Sequence, residues 1–296
     1  MSGKVSLTPI SQFGPRSGLL AGLRSPAVTA VVIAFSLLWS IPTLGLAITS
    51  LRPSTLAESS AWWAVLADPQ LTLDNYRAIF TEGAMTPQGA LPYLLNTFVI
   101  AVPSVLLPLI LGFMAAYVLA WIPFRGSQSA FLLIVGLQVI PAQMLLLPLV
   151  GLLGQGYPAI WAVHTILALP LAVYLLYAFV TAVPRDLLQA ARLDGAGHLV
   201  ILTRIVVPLC AAAIASFAVL QFIWVWNDLL VALTFAGTSP EVVPITAYLA
   251  SVKAANPDQS ARIAALACIA ILVPSLVIAL LQRTFTRGVA AGSVQG

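Results

Sequence analysis

Residues 126–184 contain no Asp, Glu, Lys or Arg. As one α-helix, this run of roughly 60 residues would extend about 90 Å, some three times the hydrocarbon thickness of a bilayer. It must turn back on itself, and Gly151–Leu152–Leu153–Gly154–Gln155–Gly156–Tyr157–Pro158 supplies the turn. The run therefore holds two spans, about 130–150 and 159–181. Other apolar runs give spans at 27–49, 93–121, 205–235 (passing over Asp228) and 263–282. These runs are too long for barrel strands and do not alternate every second residue. The fold class is an all-α polytopic membrane protein of six helices, with a segment 1–26 before the membrane domain 27–282 and a tail 283–296 after it. The first run exceeds a signal-peptide core and lacks a small-residue cleavage site, so it is expected to stay as an anchor.

Composition agrees. Of 296 residues, 60% are hydrophobic and 7% charged, where a soluble domain carries about 25% charged. Mean hydropathy is +1.02. That leaves too little charge to cover a soluble enzyme, and a disordered chain is excluded as well. The net charge of +4 is the balance of 13 basic and 9 acidic residues; it is not a basic patch, so no nucleic-acid partner is expected. Cys210 and Cys268 lie in apolar runs and read as small fillers, not as a disulfide or metal framework.

Lys and Arg set the orientation. With the N-terminus inside, Lys4, Arg16, Arg24, Arg125, Arg185, Arg192, Arg204, Arg283 and Arg287 fall on the cytoplasmic side, against Arg52, Arg77, Lys253 and Arg262 outside. Both termini are thus expected in the cytoplasm. The longest outer segments, about 50–92 and 238–261, are the places for an external partner.

One inner segment stands apart. In residues 184–208, Pro184 starts a helix whose N-terminal dipole Asp186 complements. Leu187, Leu188, Ala191 and Leu193 make the helix partly apolar, Gly195 ends it, and Gly197 keeps the turn small. A second short helix, Leu199 to Val207, returns to the membrane at Pro208. The apolar face must pack either on its own chain or on a partner.

The spacing Gln189–Ala190–Ala191, three residues, Gly195, nine residues, Ile205–Val206–Val207–Pro208 resembles the EAA coupling loop of ABC importer permeases. That pattern reads Glu-Ala-Ala, three residues, Gly, nine residues, Ile-x-Leu-Pro. Gln189 stands for Glu and Val207 for Leu; every interval matches. Leu73–Asp74–Asn75–Tyr76, Ala115–Ala116–Tyr117, Phe124–Arg125–Gly126, Ile140–Pro141–Ala142–Gln143, Trp226–Asn227–Asp228 and the tail from Leu281 to Val294 resemble the carbohydrate branch. Leu169–Pro170–Leu171 and the run Phe222 to Leu230 are similar to α-glucoside permeases of the maltose-permease type.

The resemblance implies the type I importer-permease fold in the cell (inner) membrane. It implies as partners a second homologous permease, two ATP-binding subunits and an extracytoplasmic sugar-binding protein. Gln189, Ala190, Ala191, Asp194, Gly195, Ile205 and Pro208 would couple to one ATPase, and the tail 283–296 would also reach the ATPase pair. The cargo implied is a sugar such as maltose, trehalose or sucrose. The chain itself has no G-x4-G-K-[ST] phosphate loop. ATP and magnesium are therefore expected in another subunit, and no cofactor, metal or catalytic residue is expected here. A permease for another solute, such as glycerol phosphate or another oligosaccharide, is the nearest alternative. An ion-coupled secondary transporter is the more distant one, since such chains usually carry internal repeats and mid-span charges.

Polar residues inside spans mark pathways or packing. In span five, Gln221, Trp224 and Asp228 recur at offsets 0, +3 and +7, roughly one helical face, and offer hydrogen bonds and an aromatic surface to a sugar. Alternatively, Asn227 and Asp228 cap the helix. Gln138 and Gln143 flank Pro141, which should kink span three; they suit sugar contact or helix packing equally. His164, a lone histidine, reads as packed.

Overall fold

The computed structural model describes residues 26–81, 89–237, 239 and 241–293, with side chains described as far as Leu280. No strand occurs among the described residues. Among the described residues four helices are long and apolar enough to cross a membrane alone, and counting two sharply bent pairs as one span each gives six. The spans that stand alone are α1 (Pro26–Leu51), α4 (Leu91–Trp121), α7 (Tyr157–Thr181) and the part of α14 (Ser260–Ser293) up to Leu280. Between α1 and α4 the described residues form α2 (Ser54–Ser59), a 3₁₀ helix (Trp62–Leu66) and α3 (Asp74–Thr81). The segment 1–25, most of the expected N-terminal arm, lies outside the described residues, as do the side chains of the tail.

Helices α4 and α7 form the central pair. Their approach depends on a residue without a side chain: a Cβ on Gly112 would sit 2.6 Å from the Ala172 Cβ. Small residues let membrane helices meet backbone to backbone, where van der Waals contact replaces the hydrophobic drive that lipid removes. Two apolar cores lie along this pair. Near one end, Tyr93, Ile160, Trp226, Phe235 and Tyr248 are buried together. Near the other, Phe113, Tyr117, Leu176, Val180, Ile201 and Phe217 are buried together.

Two expected spans are not single rods. Span three, expected as 130–150, is α5 (Ser127–Gly136) with a 3₁₀ turn (Leu137–Val139), followed by α6 (Ala142–Leu153) at 99° to it. Pro141 forces Ile140 out of the helical region (φ −74°, ψ 119°), because its ring clashes with the preceding backbone. Span five, expected as 205–235, is bent by 76° at Cys210 and broken again at Asp228. Its long piece is α11 (Ala211–Asn227), and a short α12 (Leu230–Phe235) follows.

The segment after α1 is fastened by a charge the sequence would place at the surface. Arg52 is only 1% exposed. Its guanidinium donates to the carbonyls of Ser60 (3.1 Å) and Ala61 (2.8 Å) and to Ser60 Oγ (2.7 Å). Asn75 donates to the carbonyls of Ser50 and Arg52, holding α3 on the same knot. Arg52→Met would remove these charge-assisted hydrogen bonds to Ser60 and Ala61 and loosen the knot, at about 1–3 kcal/mol. The expected result is faster proteolysis within residues 52–81 and a lower melting temperature; unchanged cleavage would show that the knot contributes nothing.

Candidate functional site

The loop 184–208 folds as a helix–turn–helix. Helix α8 (Arg185–Leu193) carries Asp186 in its first turn and Arg192 in its last, each matching the helix dipole. Gly195 has φ +82°. The Ala196 N–H bonds the Ala191 carbonyl (2.9 Å) and the Gly195 N–H bonds that of Arg192 (3.0 Å), which is a Schellman cap. The return path is α9 (His198–Ile201), a π-turn (Leu202–Val206) and α10 (Val207–Leu209). Pro208 has no N–H to continue the α ladder, and the Val207 N–H reaches back five residues to Leu202.

Part of the apolar face packs on its own chain and part of it stays exposed. Leu188 and Ile201 are buried in the core with Phe113, Leu176 and Val180, and Tyr117 Oη lies 3.0 Å from His198 Nδ1. Leu193 is 89% exposed and Leu199 72%, one on each side of the Gly195 turn. Gln189, Ala190, Asp194, Gly195 and Pro208 are exposed, while Ala191 and Ile205 are half-buried. The loop is therefore rooted in the bundle and presents an apolar tip. Leu199 was missed as a tip residue in the sequence; its pairing with Leu193 across the glycine turn was the available signal.

The polar span residues are not gathered as the helical offsets suggest. Gln221 is buried and its Nε2 donates to the Ser104 carbonyl (3.3 Å), whereas Trp224 is 66% exposed. Asp228 lies beyond the end of α11, where its Oδ1 accepts the Val231 N–H (2.9 Å) and opens α12. Asn227 donates to the Ile223 carbonyl (2.8 Å) one turn back. Neighbouring Trp226 is fully packed, its indole N–H on the Ala270 carbonyl (2.9 Å). Gln138 and Gln143 are exposed on either side of the 99° bend. His164 is buried. Among the described residues no His/Cys/Asp/Glu group has the arrangement of a metal site.

The pieces beyond the two breaks meet. Helix α6 packs on α12, and the Gly156 N–H bonds the Phe235 carbonyl (2.8 Å). Tyr157 Oη lies 2.6 Å from the Glu241 carbonyl and 2.8 Å from Asn96 Oδ1. The Ile245 N–H, which opens α13 (Ile245–Ala255), donates to Thr97 Oγ1 (2.9 Å). The end of the bundle opposite the coupling-type loop is thus laced together by polar contacts across α4, α7 and the segment before α13.

Residues 108–291 match the family described as binding-protein-dependent transport system inner membrane component. The chain belongs to that family. It is a permease subunit and not an enzyme, and it is an integral, multi-pass membrane protein. Over 273 residues this permease is 41% identical to the osmoprotective compounds uptake permease protein GgtD of Synechocystis, covering 89% of this chain and 90% of that one. It is 39% identical over 238 residues to the alpha-glucoside transport system permease protein AglG of Rhizobium meliloti, covering 77% of this chain and 61% of the relative. The crystal structure of a bacterial ABC transporter involved in importing the acidic polysaccharide alginate contains a chain that superposes with a TM-score of 0.73 at 20% identity, covering 94% of this chain and all of that one. That likeness shows that the two chains share a fold.

Proposed function

We propose that this permease forms half of the membrane channel of an ATP-driven importer and passes an α-glucoside such as maltose, trehalose or sucrose inward. The observation that carries the reading is the pair of broken spans. Irregular backbone at membrane depth is tolerated only where protein or water covers it. Here the breaks expose Gln138, Gln143, Trp224 and Asn227, which are neutral hydrogen-bonding or aromatic groups. That set suits an uncharged polyhydroxyl solute better than an ion. A second homologous permease is the natural cover, placing both sets of breaks on a shared path. The name of the AglG relative supports the sugar class, and the name of GgtD supports a second reading, an osmoprotective compound.

In the same scheme the end carrying Arg125, Arg185, Arg192 and Arg204 faces the cytoplasm, and the Leu193–Gly195–Leu199 tip sits in one of two ATP-binding subunits. The opposite end receives the solute-binding protein. ATP-driven closure of the ATPases moves the tip, and the spans rooted in it follow, giving alternating access. The test is uptake by the complete complex in proteoliposomes, with labelled maltose, trehalose and sucrose offered beside non-sugar osmolytes. Trp224→Ala and Gln138→Ala are expected to lower uptake about tenfold, the scale of one good contact, and to lower it more than ATP hydrolysis. Uptake of no α-glucoside by the wild-type complex would overturn the cargo assignment.

A further inference from the structure

The loop between α1 and α3 returns to its starting point. The Thr72 N–H donates to the Leu51 carbonyl (2.6 Å), and Arg52 fixes Ser60 and Ala61 within the closed loop. Ile79 of α3 packs with Tyr93 and Tyr248, so this is the end of the bundle opposite α8. The loop has two unlike parts. Helix α2 exposes Ser54, Glu58 and Ser59, whereas the 3₁₀ helix that follows exposes Trp63 (61%) and Leu66 (87%). Leu71 and Leu73, on either side of the Thr72 bond, are exposed as well. Neither the coupling loop nor the proposed solute path uses these four side chains.

Depth decides what they face. The 26 residues of α1 make about 39 Å of helix, roughly 9 Å more than the hydrocarbon thickness. A centred α1 therefore overshoots the hydrocarbon by about 4–5 Å at each end. A Cβ on Gly45 would stand 2.9 Å from the Trp62 indole nitrogen, so that ring lies against the bare backbone of the glycine. Gly45 precedes Leu51, the last residue of α1, by about 9 Å along the axis. The Trp62 ring is thus held about 4–5 Å inside the hydrocarbon boundary, in the interfacial zone that tryptophan favours. Trp63 stands edge-on to it, ring centroids 5.7 Å apart, which keeps the second ring near that level. Ile41 and Leu44 of α1, about one turn or less from Gly45, are exposed too, so the lipid-facing surface of the span runs on into the loop.

We propose that the 3₁₀ helix is an interfacial anchor, with Trp63 and Leu66 buried among the glycerol backbones and upper acyl carbons of the leaflet opposite the coupling loop. Segments with one strongly apolar side lie in the interface in this way, and a tryptophan there can keep its indole N–H wet. The occupant is phospholipid, because a ring held at that depth is out of reach of a water-borne protein. Glu58 and Asp68 flank the anchor; both are acidic, so apolar burial holds it, not attraction to anionic headgroups. Pinned there, the loop turns its polar α2 toward water, and α2 is the part left for a soluble partner. The proposal rests only on α1 crossing the membrane.

The experiment is photo-crosslinking in the assembled complex, held in phosphatidylcholine nanodiscs and read by mass spectrometry. The probes are Trp63→p-benzoylphenylalanine and Leu66→p-benzoylphenylalanine, with Glu58→p-benzoylphenylalanine as the control on α2. Adducts at 63 and 66 are expected to carry phospholipid. At 58 lipid adducts should be about tenfold fewer, the scale of one buried apolar side chain. Equal lipid labelling at all three positions would overturn the proposal, since the probe's own apolarity would then explain it. Adducts at 63 and 66 with another permease or with the solute-binding protein would overturn it in favour of a protein interface. A second readout does not depend on the probe. Trp63→Ser/Leu66→Ser removes the anchor and leaves the Arg52 bonds, and should speed proteolysis between residues 61 and 71 in nanodiscs about tenfold. Unchanged cleavage would show that lipid does not hold the loop. Solute uptake by the same samples reports on the transport reading separately.

Discussion

Gly195→Asp is expected to abolish solute-stimulated ATP hydrolysis by the assembled transporter while the variant chain still inserts and folds. The backbone at Gly195 is left-handed, and a Cβ there would meet nothing within 4 Å, so nothing in the permease itself collides with the new side chain. Asp and Asn both tolerate this backbone region, whereas a β-branched residue does not. A series therefore separates the causes. Gly195→Asn, neutral and tolerant, should keep most of the stimulation. Gly195→Asp places a charge between the exposed Leu193 and Leu199 and should lose it. Gly195→Val should lose it through strain of roughly 1–2 kcal/mol. Full stimulation in the Asp variant would remove the tip from the coupling path.

Gly112 carries the largest expected effect on folding. Even alanine there places its Cβ 2.6 Å from that of Ala172, and overpacking of this kind typically costs 1–3 kcal/mol. Gly112→Leu should yield little monodisperse protein. Gly112→Ala should lower the melting temperature, and adding Ala172→Gly should recover most of the loss, since the facing methyl is then gone. No recovery in the double variant would show that the two helices meet elsewhere. The readout is thermal unfolding in detergent, away from the coupling loop and the proposed path.

How much of this the sequence carried depends on what each residue needed from its neighbours. Spans α1, α4, α7 and α14 were legible because lipid imposes length and apolarity on each helix separately. The loop was legible too: Gly195 ends α8 in the geometry its type prefers, and the intervals to Ile205 and Pro208 are local. The 99° bend was only half legible. Pro42, Pro103, Pro108, Pro170 and Pro274 all lie inside continuous helices, whereas Pro141 stands at a break, and residue type alone does not tell the two cases apart. The same holds for span five. Helical offsets bring Gln221 and Trp224 within one turn, but only the position of the Ser104 carbonyl on α4 decides that Gln221 is buried. Arg52 reads as an outer surface charge until the carbonyls of Ser60 and Ala61 close around it.

The root of the helix–turn–helix shares one packed interior with the span ends: Leu188 and Ile201 sit among Phe113, Leu176 and Val180. A graft of residues 185–209 from a relative would arrive with knobs cut for another socket. Retargeting this permease to a foreign motor subunit should therefore succeed by recarving only the outward tip around Leu193 and Leu199, and fail by wholesale transplantation of the hairpin.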